Sequence, residues 1–274
     1  MNLNNFYCRG VNMHISELKV RCLSKPNFNL SEFLKFLADE NLDWHRTSSS
    51  TPAEELVEVA GRICYMSFGE GKQSPRRNNE YIDNLIRQGH ESVLEHVNWS
   101  FLMSGVSRAF THQLVRHRIG FSYSQLSQQY HDESNASFVL PVEIKNNPEL
   151  CEVWKRNIHN SVAMYKEIMG RVYADDSING HSKKEILRSL RSASRSILPN
   201  ATETKIIVTA NARAIRHFLI MRGGIDGDHE MRSISYEIYK IVSLDAPALF
   251  QDFKVVGLTD GSVKVIRNNG KEKS

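Results

Sequence analysis

The sequence predicts a mixed α/β (α+β) fold in which long helices flank an antiparallel or mixed sheet. Three observations point to it. Apolar residues recur at helical spacing over several long stretches, as in Met231, Ile234, Ile238 and Ile241. Other segments alternate or are β-branched, as in Val97–Met103 and Lys205–Thr209. No internal repeat or low-complexity linker divides the 274 residues.

Residues 1–50 read as irregular, with Ser48, Ser49 and Ser50 in a loop. A helix then starts at a capping box: Thr51 as N-cap, Pro52 at the first position and Glu54 three residues on. Its expected apolar stripe is Leu56, Val57, Ala60 and Ile63. A second helix is expected over 79–88, ended by Gly89. Val97, Trp99, Phe101 and Met103 face one side of a strand that Gly105 is expected to break. A helix follows over 107–118, with Phe110, Leu114 and Val115 inward and Gly120 after it, and 121–127 alternates again. Residues 148–195 form two helices split at Ser177–Gly180, and Pro199 stops the second. A strand over 205–209 leads to a helix over 211–222 ended by Gly223 and Gly224, and to another over 228–242. Phe253–Val256 and Val263–Ile266 make a hairpin turning at Asp260-Gly261.

The composition, 41% hydrophobic and 24% charged, is that of a soluble globular chain, and a net charge of +4 fits anionic small ligands and weak nucleic-acid affinity alike, so it decides little. No apolar run approaches the ~20 residues of a membrane span, and the first twenty residues carry no signal-peptide pattern. Cys8, Cys22, Cys64 and Cys151 are scattered, with no Cys-x-x-Cys pair and no neighbouring base. They predict a reducing, cytoplasmic setting and argue against zinc and against a thiol nucleophile. His90, Glu95 and His96 lack helical metalloprotease spacing, so no metal site is expected. Neither a Gly-x-Gly-x-x-Gly nor a P-loop is present.

The chemistry concentrates in Arg116-His117-Arg118 and the hydroxyls and amides that follow, from Ser122 to Gln129. Guanidiniums present planar forks to phosphate oxygens, and serine and glutamine can read a polar heterocycle edge. A second basic group, Arg213, Arg216, His217 and Arg222, shares one helix with Asn211, and Arg195 stands before Ile197-Leu198-Pro199. These residues by themselves point only to a phosphorylated ligand.

Taken in order, several blocks closely resemble the flavin-dependent thymidylate synthases. They are Gly61–Tyr65, Gly89–His96, Ser107-Arg108, Arg116–Arg118 with its downstream serine, Ser194–Asn200, Asn211–Arg213, His217-Phe218, Arg222 and Glu230–Arg232. The resemblance spans about residues 55–255. It implies a homotetramer with active sites shared between protomers, and a catalytic domain over 51–256 between an N-terminal extension (1–50) and a C-terminal hairpin and tail (257–274). It implies transfer of a methylene from methylenetetrahydrofolate to C5 of dUMP, with FAD as cofactor and NADPH as reductant. No nucleic-acid or membrane partner is expected.

By position, the resemblance assigns Ser92, Arg116, His117, Arg118, Gln125, Asn211, Arg213 and His217 to FAD. It assigns Gln113, Arg116, Gln125, Ser127, Gln128, Gln129, Arg195 and Arg222 to dUMP, with Arg195 as phosphate clamp. Arg222 and Ser127 are the implied catalytic pair: Arg222 offsets charge developing on the uracil, and Ser127 orients the ring. Three departures stand out. Eight residues, not seven, separate Arg118 from Ser127, the extra one falling near Ile119-Gly120. Gln129 replaces an arginine of the Ser-x-Arg-Tyr pattern, and Asp226 stands where a histidine is common. Two other readings remain beside dUMP methylation: a related C5-methylase acting on another uridine nucleotide such as UMP, and a non-catalytic nucleotide- or RNA-binding homologue.

Overall fold

A computed structural model describes residues 5–8, 11–174 and 180–268. The chain begins with strands β1 (Asn5–Cys8), β2 (Val11–His14) and β3 (Lys19–Ser24), then helices α1 (Leu30–Asp39), α2 (Pro52–Ile63) and α3 (Asn78–Arg87). A 3-10 turn (Glu91–His96) leads into β4 (Asn98–Ser107), α4 (Arg108–Leu114) and β5 (Phe121–Gln125). Helices α5 (Val142–Lys145), α6 (Pro148–Tyr173) and α7 (Gly180–Ser194) precede β6 (Glu203–Asn211). Helices α8 (Ala212–Arg222) and α9 (His229–Asp245) follow, and β7 (Phe253–Gly257) and β8 (Val263–Arg267) close the order. The four-stranded sheet has the order β3-β4-β6-β5, while β1-β2 and β7-β8 are two-stranded. β7 and β8 pair antiparallel, Val255 opposite Val265, as the hairpin reading predicts. The mixed α/β class is therefore present.

The chain divides into two compact units. One comprises Met1–Lys19, Met103–Arg116 and Tyr123–Ile207, the other Val20–Leu102, His117–Ser122 and Val208–Ser274. In the first, Phe138, Ile158 and Val162 form a core cluster, with Trp154 and Met13 against it. In the second, Phe33, Leu37, Val59 and Phe68 cluster with Phe28, Phe36 and Trp44.

Local chemistry explains most boundaries. The Thr51 hydroxyl accepts from the Glu54 amide, and the Glu54 carboxylate accepts from the Thr51 amide at 2.9 Å. The stripe expected on α2 is different, however. Its buried positions include Glu54, Glu55, Glu58 and Arg62 with Val57 and Val59, while Ile63 is exposed. The polar groups are buried because they are satisfied. Glu54 also accepts from the Ala248 amide at 2.6 Å, and Arg62 binds Glu58 at 2.7 Å and the Pro75 carbonyl at 2.7 Å.

Three further expectations are corrected. Residues 1–50 are not irregular: β3 joins the sheet, and α1 is capped by the Asn29 side chain and buries Phe33 and Leu37. Gly105 does not end β4. Its φ of +68° suits a glycine, its amide donates to Glu203 at 2.9 Å, and a Cβ there would fall 1.9 Å from the Glu17 carbonyl oxygen. Helix α4 ends at Leu114, four residues early, leaving Val115 exposed and Arg116 outside the helix. The Ser177–Gly180 split falls mostly outside the described residues, although α7 starts at Gly180.

Candidate active site

The sequence-assigned residues are found in two groups, each within one unit. In the second unit Arg222 and His217 meet His117. Arg222, in the last turn of α8, donates from Nε to His117 Nε2 at 3.3 Å. An imidazole nitrogen that accepts this bond is unprotonated, so the neutral ring carries its proton on Nδ1. Burial, then the charges of Arg222 and His217, hold the His117 pKa below its ordinary value. The ring packs edge-on against Phe218, centroids 5.2 Å apart, with Phe121 at 5.9 Å and His217 at 6.2 Å.

Helix α8 sets this arrangement. Asn211 is its N-cap and accepts from the Ala214 amide at 2.8 Å. The preceding loop is fastened to that cap, because the Asn211 amide donates to the Gly120 carbonyl at 3.1 Å. Gly120 has φ +74°, and a Cβ there would lie 2.6 Å from the Asn211 side-chain amide, so the loop carrying His117 and Arg118 closes on α8 only with glycine. Arg213 and His217 are exposed one turn apart, as their spacing predicts. Arg213 is already ion-paired, to Glu95 at 2.6 Å and Glu91 at 3.8 Å, partners that sequence reasoning missed although both lie in the Gly89–His96 block. Ser92 is exposed in the same 3-10 turn, and Arg118 is exposed.

Arg216 is a different matter. Counted with the basic face in the sequence, it is buried and clamped by two 2.7 Å bonds to Asp252, and its Nη1 also donates to the Leu249 carbonyl at 2.5 Å. It is structural. So is Arg232, which donates to the Ile225 carbonyl at 3.0 Å and to Ser262 at 3.2 Å. Asp226 is exposed and paired with Lys264 at 2.6 Å.

In the first unit, Gln125 at the end of β5 donates to Thr111 at 3.1 Å and to Thr204 at 3.3 Å, which fixes its amide. Ser127 is exposed and opens a turn: its hydroxyl accepts from the Gln129 amide at 3.3 Å and its carbonyl from Tyr130 and His131. Gln128 is buried and Gln129 half-buried. The Gln113 carbonyl accepts from the amide of exposed Arg116 at 3.2 Å, and Arg195 is exposed in a 3-10 turn after α7. Nearby groups are perturbed. Burial, opposed by Glu133 and reinforced by Arg195, lowers the Arg108 pKa, and burial raises that of Glu133 against the charges of His131 and Arg108. Among the described residues, no group of three or more His, Cys, Asp or Glu is placed to hold a metal ion.

This set offers exposed guanidiniums, and an imidazole packed among aromatic rings and oriented by Arg222, which suits an anionic ligand with a flat ring system. Residues 47–248 match the model of the thymidylate synthase complementing protein family. The chain belongs to that family, the flavin-dependent thymidylate synthases. The flavin-dependent thymidylate synthase of Mycobacterium avium is 39% identical over 251 residues, 90% of this chain and 94% of the relative. That of Mycobacterium marinum is 41% identical over 230 residues (83% and 90%), and that of Mycobacterium tuberculosis 39% over 247 residues (89% and 93%). No helix among the described residues is long and apolar enough to cross a membrane.

Proposed function

We propose that this chain is an FAD-dependent enzyme that methylates dUMP to dTMP, with methylenetetrahydrofolate as carbon donor and NADPH as reductant. The observation that carries this is the His117–Arg222 pair, which joins the Arg-His-Arg block to the basic helix α8 within a chain whose curated relatives bear the name flavin-dependent thymidylate synthase. The donor set fits FAD. Exposed Arg118 offers charge to a diphosphate, exposed His217 a hydrogen bond, and Arg213 would join them in exchange for its Glu95 pair, while half-buried His117 and Phe121 offer aromatic contact. Ser92, Arg116, Gln125 and Asn211 complete the residues assigned to the cofactor. When bound, reduced flavin would supply the hydride that completes the methyl group.

The chain's own groups would act on the nucleotide. Arg195 and Arg116 hold its phosphate, while Gln113, Ser127, Gln128 and Gln129 orient sugar and base. Arg222 faces the uracil N3 and O2 edge, where its permanent charge stabilises the negative charge that makes C5 nucleophilic. Its Nε bond to His117 fixes the guanidinium plane, so the donors need no reorganisation. The protein works in the cytoplasm as a homotetramer, and active sites are completed by neighbouring protomers.

The test is direct. Purified protein is expected to be yellow and to release tritium from C5-labelled dUMP when methylenetetrahydrofolate and NADPH are present. Colourless protein that takes up no FAD refutes the proposal. Release from labelled UMP and not from dUMP moves the substrate to the ribonucleotide, the alternative motivated by Gln129 and the longer loop. Uptake of nucleotide with no release of tritium favours the non-catalytic homologue.

A further inference from the structure

A pocket of about 210 Å³ lies wholly within the first unit, against α6, and no residue assigned to FAD or dUMP lines it. Its apolar wall is Met13, Ala136, Phe138, Ile158 and Val162. Phe138, Ile158 and Val162 are buried core, and Met13 and Ala136 pack against them. Helix α6 supplies Ile158, His159, Val162 and Lys166, at i, i+1, i+4 and i+8, which share one side of the helix. Phe138 is fixed on both backbone edges. On one, its amide donates to the His14 carbonyl at 3.0 Å and its carbonyl accepts from the Ser16 amide at 2.9 Å; on the other it bridges Thr202.

The rim is polar and carries one sign of charge. His14, Asn135 and Lys166 are exposed there and His159 is half-buried, and the lining has no carboxylate. Asp132 and Glu133 precede Ser134 in the chain, but neither lines the pocket, and Asp132 accepts from the Ser134 amide at 2.9 Å and its hydroxyl at 2.6 Å. His14 shares a hydrogen bond through Nδ1 with the Ser137 hydroxyl at 3.0 Å, which orients the ring and leaves Nε2 for a ligand. The ion pairs of α6 join Lys155 to Glu152 at 2.8 Å and Arg171 to Glu167 at 2.6 Å, and among the described residues Lys166 enters none. The positions three and four away from it are Val162, Ala163, Met169 and Gly170, so its helix supplies no counter-charge.

Size and charge select the ligand. A cavity of about 150 Å³ holds benzene, so this one admits a single six-membered ring with a short arm. It falls below the roughly 300 Å³ at which sites for larger ligands begin, which excludes a nucleotide or a flavin. One ammonium with imidazole and amide donors matches a monoanion, whereas a phosphate dianion would keep half its charge unmatched. We propose that this pocket binds a small aromatic carboxylate, its ring against Phe138, Ile158 and Val162 and its carboxylate on Lys166 and His159. The site is separate from dUMP methylation and does not depend on it.

The experiment is methyl NMR of the full-length protein as purified, following Met13, Ile158 and Val162 while benzoate, benzamide or acetate is added. Benzoate is expected to shift all three signals saturably, with a dissociation constant on the order of 0.1–1 mM for so small a ligand. Benzamide has the same shape without the charge and is expected to bind about 10-fold more weakly, and acetate, without the ring, not to saturate. Lys166→Gln is expected to weaken benzoate by about 10-fold and to leave benzamide unchanged. Ala136→Leu fills the hollow and is expected to abolish both. Lys166 is exposed, so Lys166→Gln reads the charge whether or not Ala136→Leu folds. Saturating dUMP is expected to leave benzoate binding unchanged. No saturable shift by about 10 mM benzoate overturns the proposal. So does equal affinity for benzoate and benzamide, unchanged benzoate binding in Lys166→Gln, or displacement of benzoate by dUMP. Tritium release from dUMP is read separately, so none of these outcomes decides the proposed function.

Discussion

Helix α8 has two basic faces that differ in kind. Inward, Arg216 is 1% exposed and bonded to both oxygens of Asp252, which in turn accepts from Arg267 at 2.7 Å. Outward, Arg213 and His217 lie on the surface, and half-buried Arg222 donates its Nε to a neutral imidazole rather than to a carboxylate. The same side chain, six residues apart on one helix, is consumed by the fold in one place and left facing the candidate site in the other. The difference lies in the partner. A carboxylate that matches the fork removes a guanidinium from ligand chemistry, whereas a neutral ring orients it and leaves its charge uncompensated.

The largest expected effect falls on the inner face. Arg216→Met strands Asp252 with Arg267 alone in a largely buried setting and is expected to cost about 3–5 kcal/mol of stability. Chemical denaturation measures it, and a loss below ~1 kcal/mol would show that Arg267 alone suffices. Next comes the outer face. Arg222→Ala is expected to lower turnover by about 10²–10³-fold, the usual cost of removing a donor aimed at developing charge. Its denaturation midpoint should stay close to wild type, and a matching loss of stability would erase the distinction between the faces.

The smallest effect is on His117. Its folded pKa is depressed, so between that value and the ordinary 6.5 the unfolded chain binds more protons than the folded one. Its contribution to stability is therefore complete above pH 6.5 and is lost as pH falls from there toward the folded pKa. Arg222→Gln removes one of the charges that depress it, so the His117 ring signal in NMR should titrate at higher pH than in wild type. An unchanged titration would mean that the Arg222 charge does not contribute to the depression.

Local signals were readable in the sequence, and long-range pairings were not. The Thr51–Glu54 box, the Asn211 cap and the β7–β8 hairpin follow from residues close together in the chain. Helix α1 was readable too, since Asn29 followed by Glu32, with Phe33 and Leu37 a turn apart, is a cap and an apolar stripe. Strand β3 was not, because its residues are largely exposed and show no alternation. The burial of Glu58 and Arg62 depends on Asn78, Pro75 and Tyr81, which no local pattern announces. At the candidate site, motif blocks nominated the residues. Nothing local separated Arg216 from Arg222, or showed that Arg213 meets Glu95, 118 positions earlier.

The triple salt link also imposes an order of assembly. Arg216 waits for a counter-charge that arrives 36 positions later, and Asp252 in turn receives Arg267 after another 15. During translation, the inner side of α8 therefore cannot be neutralised until Asp252, just ahead of the β7–β8 hairpin, has emerged from the ribosome. A nascent polypeptide halted between those points would present a bare guanidinium where the finished protein has a sealed interior, a state that chaperones and proteases could tell from the native one.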